Sequence, residues 1–234
     1  MQKINYGIDA APFMRTAFMI GSVLLPIGLF LQIAYHSLFA IPFLIAGFIP
    51  LFLGTVMYFY GKNGKFLMRD YVLSLVNWRG DEQVLDIGSG LGLMLNGAAK
   101  KLTTGKAIGI DVWVVKDLSD NSLENALRNA ELEGVRDKIE IRTEDAQKLN
   151  FSDNQFDVIL SMLCLHNIEE DGGIEKACFE IARVLKPNGV ALIGDYLPTH
   201  AYAKFFKKAG LTVKYSKPFF SIAYSPMWLV EVVK

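Results

Sequence analysis

Val84-Leu-Asp-Ile-Gly-Ser-Gly-Leu-Gly92 runs an apolar strand pattern into three glycines, with a carboxylate, Asp86, just ahead of them. A glycine-rich turn between a strand and a helix lets a ligand lie against bare backbone, because Gly88, Gly90 and Gly92 carry no Cβ and tolerate positive φ. Counted from Gly88, the dinucleotide fingerprint GxGxxG would need its third glycine at position 93, where the chain has Leu93; the spacing is GxGxG. Asp86 stands where a pyrophosphate would rest on the helix N-terminus, and two negative groups in one partly desolvated site repel. An ammonium or a sulfonium would be attracted instead. S-adenosylmethionine (SAM) carries both cations and no phosphate, so charge favours it over NAD. Taken alone, the same glycines also suit a plain tight turn in any α/β domain.

Outward from this turn, strand and helix patterns alternate: Gln83 to Ile87, a helix from Leu91 to Leu102, Ala107 to Ile110, a helix near Asn121 to Glu133, and Ile139 to Arg142. Asn121 with Glu124 three residues on reads as a capping pair, Leu123, Leu127 and Ala130 as the apolar stripe, and Gly134 as the stop. Phe156 to Met162 is a near-continuous apolar run, the pattern of a central parallel strand covered on both faces. A helix marked by Ile174, Ala177, Ile181 and Leu185 follows and ends at Pro187-Asn188-Gly189. Gly189 to Gly194 is the next strand and Tyr202 to Ala209 a short helix. Leu211 to Tyr215 and Met227 to Val233 close the chain as an antiparallel pair on the sheet edge.

With this grammar in place, Val84 to Gly92 resembles the first motif of class I SAM-dependent methyltransferases, and the resemblance covers Gln83 to Lys234, about two thirds of the chain. It implies an α/β, seven-stranded Rossmann-like methyltransferase sheet, mostly parallel with an antiparallel last strand. Asp86, Gly88, Ser89, Gly90 and Gly92 would contact the methionine part of SAM. Asp111, in Ile-Gly-Ile-Asp-Val-Trp, would bind the ribose hydroxyls, and Asp145, followed by Ala146, the adenine amine. Val112 or Trp113 would pack on adenine, with Trp113 the choice, and Met162 completes the cofactor-binding set. Asp111-Val-Trp followed by Asp117-Leu-Ser-Asp-Asn-Ser-Leu123 is similar to a subgroup of small bacterial methyltransferases. Independently of any family, an ionised carboxylate accepts two charge-assisted hydrogen bonds from a vicinal diol, and Asp111 ends a strand where open α/β sheets bind ligands. Read alone, Asp111 also suits a loop cap or an NAD ribose, Asp145 a surface acid beside Glu144, and Trp113 a core tryptophan.

Methyl transfer from a sulfonium is an in-line displacement, so alignment supplies much of the rate and a general base is needed only for a protonated nucleophile. The place for one is the carboxyl end of the fourth strand, where Cys164-Leu-His166-Asn167 leaves the sheet. Histidine is the residue type that titrates near neutrality, which makes His166 the candidate base. A histidine packed beside the cofactor is the alternative. Asp195, with Tyr196 at the end of the fifth strand, is the second catalytic candidate, and it could equally hold a backbone turn. Cys164 and Cys178 sit in apolar patterns and read as buried, reduced thiols; two are too few for a metalloid relay, and no metal spacing is present. The aromatic run Phe219-Phe220 to Tyr224 suits ordinary loop packing, a pocket wall or a bilayer contact.

The 234 residues are 52% hydrophobic, high for a soluble protein, and the excess lies near the N-terminus. From Thr16 to Gly61 there is no Asp, Glu, Lys or Arg. Since one span needs about 20 apolar residues, this run suffices for two transmembrane helices, 16–36 and 39–60, joined at Tyr35-His36-Ser37. Residues 1–61 are therefore expected to form a membrane anchor, 62–82 a linking amphipathic helix with Met68, Val72, Leu75 and Val76 on one face, and 83–234 the SAM-dependent domain. Arg15 flanks one span and Lys62, Lys65 and Arg69 the other, which predicts a cytoplasmic location for both ends and for the domain. A cleaved signal peptide fits less well, because the run is longer than an h-region. Gly47 and Gly54 offer a small-residue face on which the hairpin can close.

Net charge is zero and the one basic cluster, Lys204-Phe-Phe-Lys207-Lys208, is short, so nucleic acid is not expected as a partner. The anchor instead points to a small or lipid-like acceptor such as a quinone, lipid or hydrophobic thiol. A non-catalytic SAM-binding membrane scaffold is the rival reading, and an NAD-dependent oxidoreductase a third, disfavoured by Leu93 and Asp86.

Overall fold

A computed structural model describes residues 3–196, 199–215, 218 and 226–234; the Phe219 to Tyr224 run lies outside them. The chain opens with two long antiparallel helices, α1 (Ala11–Tyr35) and α2 (Ala40–Phe59), and α2 passes through a π-helical turn, Tyr60–Gly64, into α3 (Lys65–Ser74). Strands β1 (Gln83–Ile87), β2 (Lys106–Asp111), β3 (Ile139–Thr143), β4 (Phe156–Met162), β5 (Leu185–Asp195), β6 (Thr212–Tyr215) and β7 (Trp228–Val233) form one sheet in the order β3-β2-β1-β4-β5-β7-β6. Every pairing is parallel except β5 with β7 and β6 with β7.

Strand order reverses between β1 and β4, and the carboxyl ends flanking that switch point carry Ile87-Gly88 and Met162-Leu163. Successive β1 residues alternate between two cores. Val84 joins α3 with α4 (Leu93–Ala99) and α5 (Leu123–Leu132), while Leu85 and Ile87 join α6 (Gly173–Val184) and α7 (His200–Lys208) on the other face.

Local details depart from the sequence reading in four places, one being that β5 begins at Leu185, which was expected in the preceding helix. Gly92 stands at φ +87 as the N-cap of α4, so the helix starts at Leu93 rather than Leu91. Ser122, not Asn121, caps α5 by accepting a hydrogen bond from the Asn125 amide at 3.2 Å, because Asn121 is turned inward to Asp111. On α3 the buried apolar residues are Met68, Val72 and Leu73, and Leu75 is exposed, since the helix ends at Ser74 and the expected spacing lapses.

The hairpin closes through small residues on both helices. Gly21 of α1 lies against Leu51 and the Gly47 carbonyl of α2, Gly28 against Leu44, and Gly54 of α2 against Ala17 and Phe18, while a Cβ on Gly47 would lie 2.4 Å from the Leu25 amide nitrogen. Backbone atoms at that distance have no rotamer by which to give way. Gly47→Leu should therefore splay the helices and destabilise the protein by about 1–3 kcal/mol. An unchanged melting temperature in detergent would contradict this packing.

Residues 3–10 lie on the α/β fold rather than along the hairpin. Asn5 exchanges hydrogen bonds with Asn129 at 3.1 and 2.7 Å, and Tyr6 donates from its hydroxyl to Glu133 at 2.8 Å. Asp9 makes an antiparallel bridge to Leu118.

Candidate functional site

At the switch point the glycine turn is pinned by its own amides. Gly88 and Ser89 both donate to the Ile110 carbonyl at 2.9 Å, and Gly90 donates to Asp111 Oδ2 at 2.8 Å. The three N–H groups are thus used internally, and what faces outward is bare Cα. Gly88 has φ +69, and a Cβ there would fall 2.3 Å from Cys164 Sγ, so the turn and the β4 loop close on each other only because residue 88 is glycine. Burial pushes the Cys164 thiol up to about 12, which leaves it protonated and inert near neutrality.

Two linked cavities lie over this turn. The first is walled by Gly88, Gly90, Asp111, Val112, Asp145, Ala146, Met162 and Ile168 among others, with no Lys or Arg among the described residues of its wall. The second extends it over Asp86, Ser89, Leu93, Tyr6 and Lys65. Asp111 uses Oδ1 to accept from the Trp113 amide (2.6 Å) and Asn121 Nδ2 (3.2 Å), and Oδ2 to accept from Gly90. Asp111 also lines the first cavity, and a carboxylate has lone pairs beyond these three bonds, so Asp111 ties two loops together and keeps capacity to accept from a diol. Asp86 is 1% exposed, its Oδ2 has no hydrogen-bond partner, and burial raises its carboxyl to about 7. Ser89 Oγ is likewise buried and unpartnered.

The structure brings Asp86, Gly88, Ser89, Gly90, Asp111, Val112, Asp145, Ala146 and Met162 to these cavities. Two expected residues lie elsewhere. Gly92 shapes the helix start and lines neither. Trp113, at φ +63, donates from its indole to Thr143 Oγ1 at 2.8 Å, so Val112 and not Trp113 occupies the wall. The loop reverses at Trp113 because Asp111 holds its amide. The Asp145 carboxylate is turned toward the Gln147 amide, which donates to it at 2.8 Å.

A third cavity of about 450 Å³ adjoins the first two. His166 and Tyr196 form one side, and Phe13, Met57 and Tyr60, at the base of the helical hairpin, form the other. His166 Nδ1 is 2.9 Å from Asp195 Oδ2, and Tyr202 donates its hydroxyl to the same oxygen at 2.9 Å. Asp195 is 1% exposed and lies behind His166, outside the cavity wall. An ionised carboxylate only accepts, so the imidazole donates from Nδ1 and Nε2 is left as an acceptor. The Tyr196 ring meets the imidazole edge to face with centroids 4.7 Å apart.

Sequence reading missed Asp9 and Leu163, which line all three cavities. Leu163 holds φ +54, uncommon for a non-glycine residue and without a signal in the sequence. Asp9 lay within the stretch assigned to the anchor.

Residues 85–193 match the family model described as a methyltransferase domain. This part of the chain is a methyltransferase domain. Over 128 residues, or 53% of the chain and 49% of the relative, it is 28% identical to a demethylmenaquinone methyltransferase of Bacteroides fragilis. Over 123 residues, 51% of the chain and 29% of the relative, it is 33% identical to a sterol 24-C-methyltransferase of Aspergillus fumigatus. The chain spans about half or less of the length of these curated relatives. Its fold is shared with a SAM-dependent methyltransferase from Aquifex aeolicus at a TM-score of 0.56 and 20% identity, over 71% of this chain and 89% of that one. SAM is the cofactor of this domain class, and the methyltransferase domain's cavities fit it on their own chemistry. A buried carboxylate oxygen without a hydrogen-bond partner, turn amides of Gly88, Ser89 and Gly90 already bonded within the protein, and a first cavity with no basic group among the described residues of its wall all suit a cation.

Proposed function

We propose that the chain is a membrane-anchored SAM-dependent methyltransferase whose acceptor is a lipophilic molecule bearing a protonated nucleophile. The single observation that carries this reading is the third cavity, which has the His166–Asp195 pair on one side and the hairpin residues Phe13, Met57 and Tyr60 on the other. A molecule dissolved in a bilayer around α1 and α2 would meet that cavity where the helices end.

Support for the anchor comes from burial. The most apolar 18-residue stretch of each helix has a mean hydropathy of 2.1 and only 17% of it is buried, whereas the core helix of a soluble protein is mostly covered. Phe30, Ile33, Phe48 and Phe52 are among the side chains left exposed. Two relatives bear names that specify lipophilic acceptors, a demethylmenaquinone and a sterol. Both ends of the hairpin, with the domain, belong on the cytoplasmic side in this reading, given Arg15 near the start of α1 and Lys62, Lys65 and Arg69 in the turn and helix that follow α2.

In this reading Asp111 holds the ribose, Val112 covers the adenine and Asp86 with Ser89 receives the methionine end. SAM, when bound, supplies an electrophilic methyl group. Asp195 fixes the tautomer of His166 and stabilises its charged form, and His166 Nε2 takes the proton that the nucleophile loses as the methyl group joins it. The apolar side of the cavity keeps water from competing as acceptor.

The test uses full-length protein in bilayer discs with methyl-labelled SAM and a lipid extract. Label is expected in the organic phase with wild type and about 100-fold less with His166→Ala. Label confined to water-soluble products would overturn the lipophilic assignment.

A further inference from the structure

A strap of residues 3–10 crosses the site before entering α1, and its course is fixed by a buried lysine. Lys65, 5% exposed, donates from Nζ to the Tyr6 carbonyl at 2.7 Å and the Gly7 carbonyl at 2.6 Å. On the other side the Ala10 amide donates to the Asp117 carbonyl at 2.8 Å, and Ser119 bonds Ile8 through both its amide and its hydroxyl. Gly7 turns at φ +64, where a Cβ would lie 2.6 Å from the Ser119 carbonyl oxygen. The strap is thereby held against the 117–119 loop and presents Asp9 inward.

Asp9 stands where the three cavities meet and is the one acid among the described residues that lines all of them. Its Oδ2 is buried without a hydrogen-bond partner, and the nearest cation, Lys65 Nζ, is 3.8 Å away with two of its protons already given to the strap carbonyls. A carboxylate oxygen with no hydrogen-bond donor and only a long ion pair, in a partly desolvated site, is stabilised further by a second cation brought to it. In-line transfer requires the sulfonium to stand where the cofactor cavities open onto the acceptor cavity, because sulfur, methyl carbon and nucleophile must align. That opening is where Asp9 lies.

We propose that Asp9 is a positioning residue for the sulfonium of SAM, carried to the junction by the strap, and that it makes the site prefer SAM over its neutral thioether product, S-adenosylhomocysteine. The inference rests on the methyltransferase reading above. Both molecules carry the same ammonium, carboxylate and adenosine, and they differ in charge only at sulfur. A carboxylate at that sulfur favours the substrate and helps the product to leave. Because the strap runs straight into α1, the hairpin and the cofactor junction are mechanically joined.

Calorimetric titration of the full-length protein in bilayer discs, with SAM and S-adenosylhomocysteine as separate ligands, tests this without any acceptor. Asp9→Asn should lose about 10- to 100-fold in affinity for SAM and less than about 3-fold for the thioether. Retained thioether binding also shows that the variant is folded. Asp9→Glu, which keeps the charge, should keep the preference for SAM. Equal losses for the two ligands would mean that Asp9 meets the shared ammonium, and an unmoved SAM affinity would mean that it meets neither; each overturns the proposal while leaving the methyltransferase reading intact. Failure of the wild-type protein to bind either ligand would remove that reading and the proposal with it.

Discussion

His166→Ala is expected to lower single-turnover methyl transfer by about 10²- to 10⁴-fold while SAM affinity stays within about 2-fold, because the imidazole lines the third cavity and not the two over the glycine turn. Asp195→Asn should act on the same step by another route. Asn presents an amide that can donate to Nδ1, which would leave the proton on Nε2 and turn the base away from its task. Tyr202, which donates to the same Asp195 oxygen, keeps that side chain fixed in either variant. Rapid-quench measurement of labelled product, set beside calorimetric SAM binding, separates the two effects. Rates equal to wild type in both variants would reduce His166 to a ring packed on Tyr196 and would imply an acceptor that reacts without losing a proton first.

The parts of this site that were legible in the sequence are those carried by contiguous residues. Val84 to Gly92 announces a strand, a tight turn and a helix within nine positions, and Asp111 ends a strand whose pattern is local. The charge-free run from Thr16 to Gly61 announces two helices in the same way. His166 and Asp195 were each legible as strand-end residues, but their contact joins positions 29 apart and depends on β4 and β5 lying side by side in register.

What was not legible has a common physical origin in side chains redirected by distant partners. Asn121 gives up the cap of α5 because Asp111 engages its amide, and Trp113 leaves the cavity because Thr143 takes its indole N–H. The strap is the extreme case. Tyr6 reaches Glu133 across 127 positions, and nothing in Asn5-Tyr-Gly-Ile-Asp9 marks it as part of a cofactor site. Its placement also changes what a truncation would mean. Removing residues 1–61 takes away the hairpin and, with it, Tyr6 and Asp9 from the cavity walls, so loss of activity after that deletion would not isolate the hairpin's role.

SAM affinity is expected to fall about 100-fold between pH 7 and pH 5, with Asp86 as the group responsible. Burial is the main cause that raises its carboxyl to about 7, and Asp111 nearby raises it further against a lowering contact from the Leu95 backbone. Pairing with a cation needs the ionised form. Below pH 7 each bound cofactor must therefore displace one proton, and affinity drops tenfold per pH unit, while above pH 7 it levels off. Stability of the ligand-free protein runs the other way. A carboxyl whose folded value lies above its unfolded value binds more protons when folded, so its contribution, on the order of a few kcal/mol, is present at low pH and is lost as pH rises from about 4 to about 7. Asp86→Asn keeps the shape and removes that titration, and should make both trends shallower. Asp9, whose carboxyl is also raised by burial, keeps its own share of the pH dependence in that variant, so the part of the slope that is lost is the part due to Asp86. If calorimetry across this range gave parallel binding curves for wild type and Asp86→Asn, the acid beneath the glycine turn would not be facing the charged end of the cofactor.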